Sequence, residues 1–224
     1  MRYPLLLVLA MTLLSPPVGA RPEQRQASMS MLPQPEIIQT VFKPGDLVLA
    51  IGDSLVAGSG VRPKETFPAL LEEWTPAQVF NLGKKGETST ELMRRFEGRV
   101  KERTYRWVLI CTGGNDILRD QSMAVLGKNL KDMIAIARRY NSFPVLLAIP
   151  DPKTRIDRPI YLEVAKETRT PIISGIGAKL TENNFQADRV HPNREGYKII
   201  TTEIMTFFKA RPVTAPAAKD NAIR

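Results

Sequence analysis

The chain holds one histidine, His191, and one cysteine, Cys111, so its chemistry is constrained from the start. Zinc sites built from histidine and cysteine clusters lack their ligands, and no internal disulfide can form. Asp188 stands three residues before His191 in the stretch ADRVHPN. Within a single turn that spacing lets the carboxylate reach imidazole Nδ1. Such a contact fixes the tautomer, leaves Nε2 free as a base and stabilises the imidazolium that forms. Far upstream, LAIGDSLVAG from Leu49 to Gly58 ends an apolar run in a glycine, a carboxylate and a hydroxyl. Ser54 is there either the cap of the next helix or a nucleophile at the end of a strand.

These residues need a scaffold that brings distant parts of the chain together. Short apolar runs at Asp46 to Ile51, Gln78 to Leu82, Arg106 to Cys111, Pro144 to Ile149 and Pro171 to Ser174 read as buried strands. The segments between them carry helical spacing. Leu92, Phe96 and Val100 share one face behind a capping box from Thr88 to Glu91. Met123, Leu126, Leu130, Met133 and Ala137 line a second stripe. A last helix after Asn193 buries Tyr197, Ile200, Ile204 and Phe208, with Pro192 at its start. Alternating strand and helix predicts an α/β fold, a parallel sheet with helices on both faces. In such sheets the ligand site lies at the carboxyl ends of the strands. Three of those ends carry polar, glycine-bearing loops: Gly52-Asp53-Ser54-Leu55, NLGKKGETS with Gly83 and Gly86, and TGGND with Gly113, Gly114 and Asn115.

Together these stretches resemble the SGNH, or GDSL, hydrolase family. GDSL at 52–55, NLGKKGET, GGND and DRVHPN match its four blocks in order, over roughly residues 45–210. Within the family the chain is similar to the small bacterial arylesterase, thioesterase and lysophospholipase branch. The resemblance implies a three-layer αβα sandwich around a five-stranded parallel sheet, flavodoxin-like in plan. It implies Ser54 as nucleophile, His191 as general base and then acid, and Asp188 as its orienter. The oxyanion would be held by the backbone amides of Ser54 and Gly86 and by the side-chain amide of Asn115. The expected activity is ester hydrolysis through an acyl-enzyme, on small acyl esters, thioesters or lysophospholipids. A carbohydrate O-deacetylase of the same fold is the alternative. The stretch from Pro150 to Asp188 is short beside that branch, where loops of this region shape the acyl pocket, so acyl preference transfers least.

Several of these residues have rival roles. Asp53 and Asp116 are competing carboxylates; Asp53 reads as a brace for the nucleophile turn and Asp116 as a helix start. Asn115 also reads as a cap for a helix beginning near Ile117, and Gly83 competes with Gly86. Cys111, ending an apolar run, reads as a buried and inert thiol. No nucleotide-binding loop and no G-x-S-x-G elbow occurs, and neither cofactor nor metal is expected.

Of the 224 residues, 1–20 have the pattern of a cleaved secretory signal: Arg2, an apolar core from Leu5 to Leu14, then Val18-Gly19-Ala20. That core is too short to span a bilayer. Residues 21–44 read as an arm or linker, 45–210 as one catalytic domain and 211–224 as a flexible tail. Export to the periplasm or the medium is expected. The net charge of +9 suits anionic envelope surfaces better than nucleic acid, because no stacking or zinc motif accompanies it.

Overall fold

The computed structural model describes residues 42–185, 188 and 190–210, with the backbone of two short strands at Ile37–Ile38 and Val213–Thr214. The signal-like segment 1–20 and most of the arm and tail lie outside the described residues. The two short strands pair antiparallel, Ile37 opposite Thr214, within segments whose composition suggests no structure. Phe42, also in the expected arm, is buried against the ring of Phe208 at 4.5 Å.

The main sheet has five parallel strands: β1 (Leu47–Gly52), β2 (Gln78–Gly83), β3 (Trp107–Cys111), β4 (Phe143–Leu147) and β5 (Ile172–Ile173). Their order is β2-β1-β3-β4-β5, and the pairings β1 with β2, β1 with β3, β3 with β4 and β4 with β5 are parallel. This is the flavodoxin-like plan the resemblance implies. All five apolar runs become strands, with ends shifted by one or two residues. β5 has only two residues, and just beyond it the Gly175 amide donates to Asp157 Oδ2 at 2.7 Å.

Eight-to-seventeen-residue helices cover the sheet: α2 (Phe67–Trp74), α3 (Ser89–Val100), α5 (Met123–Arg139), α6 (Pro159–Thr168) and α7 (Arg194–Ala210). Two short helices, α1 (Ser54–Ala57) and α4 (Gly114–Leu118), follow β1 and β3 directly. The predicted faces are the buried ones. Leu92, Phe96 and Val100 of α3 are fully enclosed, each contributing about 2 kcal/mol by leaving water. The Thr88–Glu91 capping box starts that helix, as its residue types require. Leu126, Leu130, Met133 and Ala137 of α5, and Tyr197, Ile200, Ile204 and Phe208 of α7, are buried likewise. Met123 is only partly so, at the first turn.

Pro192 does not open α7. It pairs with Phe185 in an isolated bridge, and Asn193 is the cap, its Oδ1 accepting from the Gly196 amide at 3.1 Å. A side-chain acceptor satisfies an orphan helix amide, which proline cannot do.

The sheet ends are packed tightly where the reactive loops begin. A Cβ on Gly83, at the end of β2, would stand 2.1 Å from the Ala57 backbone nitrogen in α1. Gly83→Ala is therefore expected to lower stability by about 2 kcal/mol, read as a lower urea midpoint at unchanged slope. An unchanged midpoint would show that α1 is not packed on β2 in this way.

Candidate active site

β1 delivers its last glycine to the sheet edge, and the chain turns at once into α1. Asp53, not Ser54, caps that helix: Asp53 Oδ1 accepts from the Leu55 amide at 3.0 Å. Ser54 is the first helical residue, and its hydroxyl is free of any capping duty. Gly58, in the left-handed region, closes the helix after one turn.

The opposite end of the domain supplies the imidazole. His191 Nε2 lies 2.8 Å from Ser54 Oγ, and His191 Nδ1 lies 2.7 Å from Asp188 Oδ2. Asp188 Oδ1 also accepts from the Val190 and His191 amides at 3.1 and 3.2 Å, which locks the turn that joins them. A carboxylate accepts only, so Nδ1 carries the proton and the Nε2 lone pair faces the serine hydroxyl. The hydrogen bond from His191 and then the two amides hold the Asp188 carboxyl below the ordinary carboxylate range.

β3 brings the third loop to the same edge. Gly113 takes φ of 118°, a left-handed value, and a Cβ there would meet the Tyr161 hydroxyl at 2.3 Å. That hydroxyl donates to the Thr112 carbonyl at 2.9 Å. The helix here starts at Gly114 rather than near Ile117, so Asn115 sits inside its first turn and is not its cap. Asn115 Nδ2 donates to the Glu87 carbonyl at 3.0 Å, which leaves its second N–H unspent. Ser54, Asn115 and His191 line one cavity together with Asp53. Gly86 is not among the residues that line it. It is tied in from the side, because the neighbouring Glu87 holds Asn115, and Gly86's own carbonyl accepts from Arg119 at 2.9 Å.

The two rival carboxylates do not touch His191; both are structural neighbours of the site. Asp53 Oδ2 accepts from the Gly114 amide at 3.1 Å, so one carboxyl ties the end of β1 to the end of β3. Burial is the main reason its pKa rises to about 6, against the lowering effect of the Leu55 and Gly114 amides. Asp116, also fully buried, accepts from the Ser89 amide at 2.8 Å and from the Ser89 hydroxyl at 2.6 Å. It thereby fastens α4 to the start of α3. Asn129 of α5 donates to the same hydroxyl at 2.9 Å.

A further brace has no counterpart in the motif reading. Arg95 of α3 pairs with the buried Glu87 and donates to the Leu82 carbonyl at 2.9 Å. It gathers the end of β2 and the Glu87 loop into one unit. The sequence offers only a glutamate and an arginine eight residues apart, a spacing that looks like two solvated charges. Cys111 is buried and its thiol is pushed well up by burial, which agrees with an inert role. Beyond the polar end, the cavity is apolar, with Leu118, Ile149, Ile176, Leu180, Phe185 and Ile200 in its wall. Among the described residues, no group of three or more metal-ligating side chains occurs.

Comparison with known proteins places this arrangement. Residues 50–199 match the GDSL-like Lipase/Acylhydrolase family. Thioesterase 1/protease 1/lysophospholipase L1 of Escherichia coli K12 is 31% identical over 165 residues, 69% of this chain and 79% of that protein. Esterase TesA of Pseudomonas aeruginosa is 31% identical over 171 residues, covering 70% of this chain and 84% of the relative. A TesA crystal structure superposes with a TM-score of 0.67 at 24% identity, over 73% of this chain and 98% of that one. The psychrotrophic esterase EstA from Pseudoalteromonas sp. gives 0.66 at 22% identity, over 73% and 97%. With the fold, the match across most of the domain and these relatives in agreement, the chain belongs to the GDSL-like lipase/acylhydrolase family and is an ester hydrolase.

Proposed function

We propose that this chain hydrolyses acyl esters of the arylesterase, thioesterase or lysophospholipase type through a covalent acyl-Ser54 intermediate. The observation that carries the reading is the hydrogen-bonded chain from Ser54 Oγ through His191 to Asp188. Ser54 Oγ attacks the acyl carbon while its proton passes to Nε2. The C–O or C–S bond then breaks, and Nε2 returns the proton to the leaving alcohol or thiol. A water molecule repeats the sequence, gives its proton to His191 and its oxygen to the acyl carbon, and releases Ser54. Asp188 keeps the imidazole oriented and stabilises its charged form without itself taking the proton. Asn115 Nδ2 and the amides of Ser54 and Gly86 are the donors for the developing oxyanion, each worth about 3 kcal/mol when pre-aimed. The apolar wall favours substrates with an acyl chain over the acetyl group a carbohydrate deacetylase would remove.

We also propose that residues 1–20 direct export and are cleaved, so that the working enzyme is the part from Arg21 onward. Among the described residues, no helix is long and apolar enough to cross a membrane. The N-terminal peptide of the exported protein should begin at Arg21; an intact Met1 in that fraction would contradict the proposal.

Ser54→Ala and His191→Ala are each expected to lower kcat roughly ten-thousandfold on a p-nitrophenyl ester, with the thermal unfolding transition retained. Wild-type turnover in either variant would refute the assignment.

The pH profile gives a second test, with its sign set by Asp53. Above about pH 6 its carboxylate accepts from both Leu55 and Gly114; below it a proton removes one acceptor and loosens the link between β1 and β3. The ratio kcat/KM should therefore fall as the pH drops through about 6, and that part of the fall should be lost in Asp53→Asn. Identical profiles in the two proteins would show that Asp53 takes no part.

A further inference from the structure

One charged side chain stands in the apolar part of the cavity. Arg155 lines it alongside Ser54 and His191, and is half-buried there. Its guanidinium carbon lies 3.7 Å from the centre of the Phe185 ring, also in the cavity wall. Stacking occupies the face of the guanidinium and leaves its in-plane N–H groups open.

Among the described residues, the Arg155 side chain makes no hydrogen bond and no ion pair, although two carboxylates lie in its own loop. Asp151 is taken by the Lys153 and Thr154 amides, at 2.8 and 3.1 Å, and by an ion pair with Arg158. Asp157 accepts from the Gly175 amide through Oδ2 at 2.7 Å, and its buried Oδ1 makes no contact with Arg155. The backbone, meanwhile, holds Arg155 in place against a local cost. Its φ is 61°, a left-handed value that costs a non-glycine residue about 1 kcal/mol. Its amide donates to the Asp151 carbonyl at 2.9 Å, and its own carbonyl abuts Gly177 so closely that a Cβ there would stand 2.2 Å away. A ring-stacked guanidinium with open donors, sharing a cavity with a candidate nucleophile and set in an otherwise apolar wall, matches one kind of ligand. That ligand has an apolar acyl chain and an anionic group a few bonds from the scissile ester.

We propose that Arg155 is a specificity-determining residue that binds the phosphate of an acylglycerol phosphate, which lies a few bonds from the scissile ester. The proposal rests on the acyl-Ser54 reading above. A coenzyme A thioester also carries phosphates, but its long pantetheine arm sets them too far from the acyl carbon to reach a group inside the cavity.

The test compares matched substrates on the full-length mature protein. The first pair is 1-octanoylglycerol 3-phosphate against 1-octanoylglycerol. The second is octanoyl-coenzyme A against octanoyl-N-acetylcysteamine. In Arg155→Gln, the kcat/KM ratio of phosphorylated to neutral glycerol ester should fall roughly tenfold or more, as loss of a charge-assisted hydrogen bond implies. The drop should lie in KM, and Arg155→Lys should recover part of it. Added salt should lower the wild-type ratio and leave that of Arg155→Gln unchanged. The thioester ratio should not respond to the substitution. An unchanged glycerol ratio in Arg155→Gln, or a drop confined to the thioester pair, would overturn the anion site. If the wild-type protein hydrolyses neither member of either pair, the acyl-Ser54 reading itself falls.

Discussion

His191 Nε2 lies 2.8 Å from Ser54 Oγ although 137 residues separate them, and nearly every element of the domain takes part in closing that gap. The serine is held by a one-turn helix wedged between β1 and the glycine end of β2. The histidine is held by a turn that its own carboxylate partner ties down, just before a helix that packs across the sheet. The apolar sheet and its helices fix two short polar loops to within hydrogen-bond distance of each other.

The polar edge of the sheet is held by charges as much as by packing. Three enclosed carboxyl groups lie in or beside the loops at this edge, and each joins two elements. Asp53 links β1 to β3, Asp116 links α4 to α3, and Glu87 with Arg95 links the loop after β2 to the strand end. Burying a carboxylate is costly unless amides or cations satisfy it, so each fixes the geometry of the groups that satisfy it. Asp53 pays most visibly, since burial raises its pKa to about 6 despite two backbone donors.

What could be read in advance follows the range of the interactions concerned. Periodicity is local, so the strands and the buried faces of α3, α5 and α7 were legible from residue spacing. Asp188 and His191 are three residues apart, and their contact is likewise a local matter. That Ser54 meets them depends on strand order, which spacing does not encode; the four matching blocks supplied it by resemblance. Caps were not legible where several capable residues adjoin: Asp53 rather than Ser54 caps α1, Gly113 rather than Asn115 precedes α4, and Asn193 rather than Pro192 stands at the start of α7. The Glu87–Arg95 brace and the unspent donors of Arg155 were invisible for a different reason. A charged residue in a sequence reads as solvated until the fold shows what encloses it.

The most direct measurement is a crystal structure of the protein after reaction with a monoalkyl phosphonate. The account predicts a covalent bond from Ser54 Oγ to phosphorus, with one phosphoryl oxygen within hydrogen-bond distance of Asn115 Nδ2 and the amides of Ser54 and Gly86. A phosphorus bound to another residue, or an oxygen turned away from Asn115 and Gly86, would contradict it.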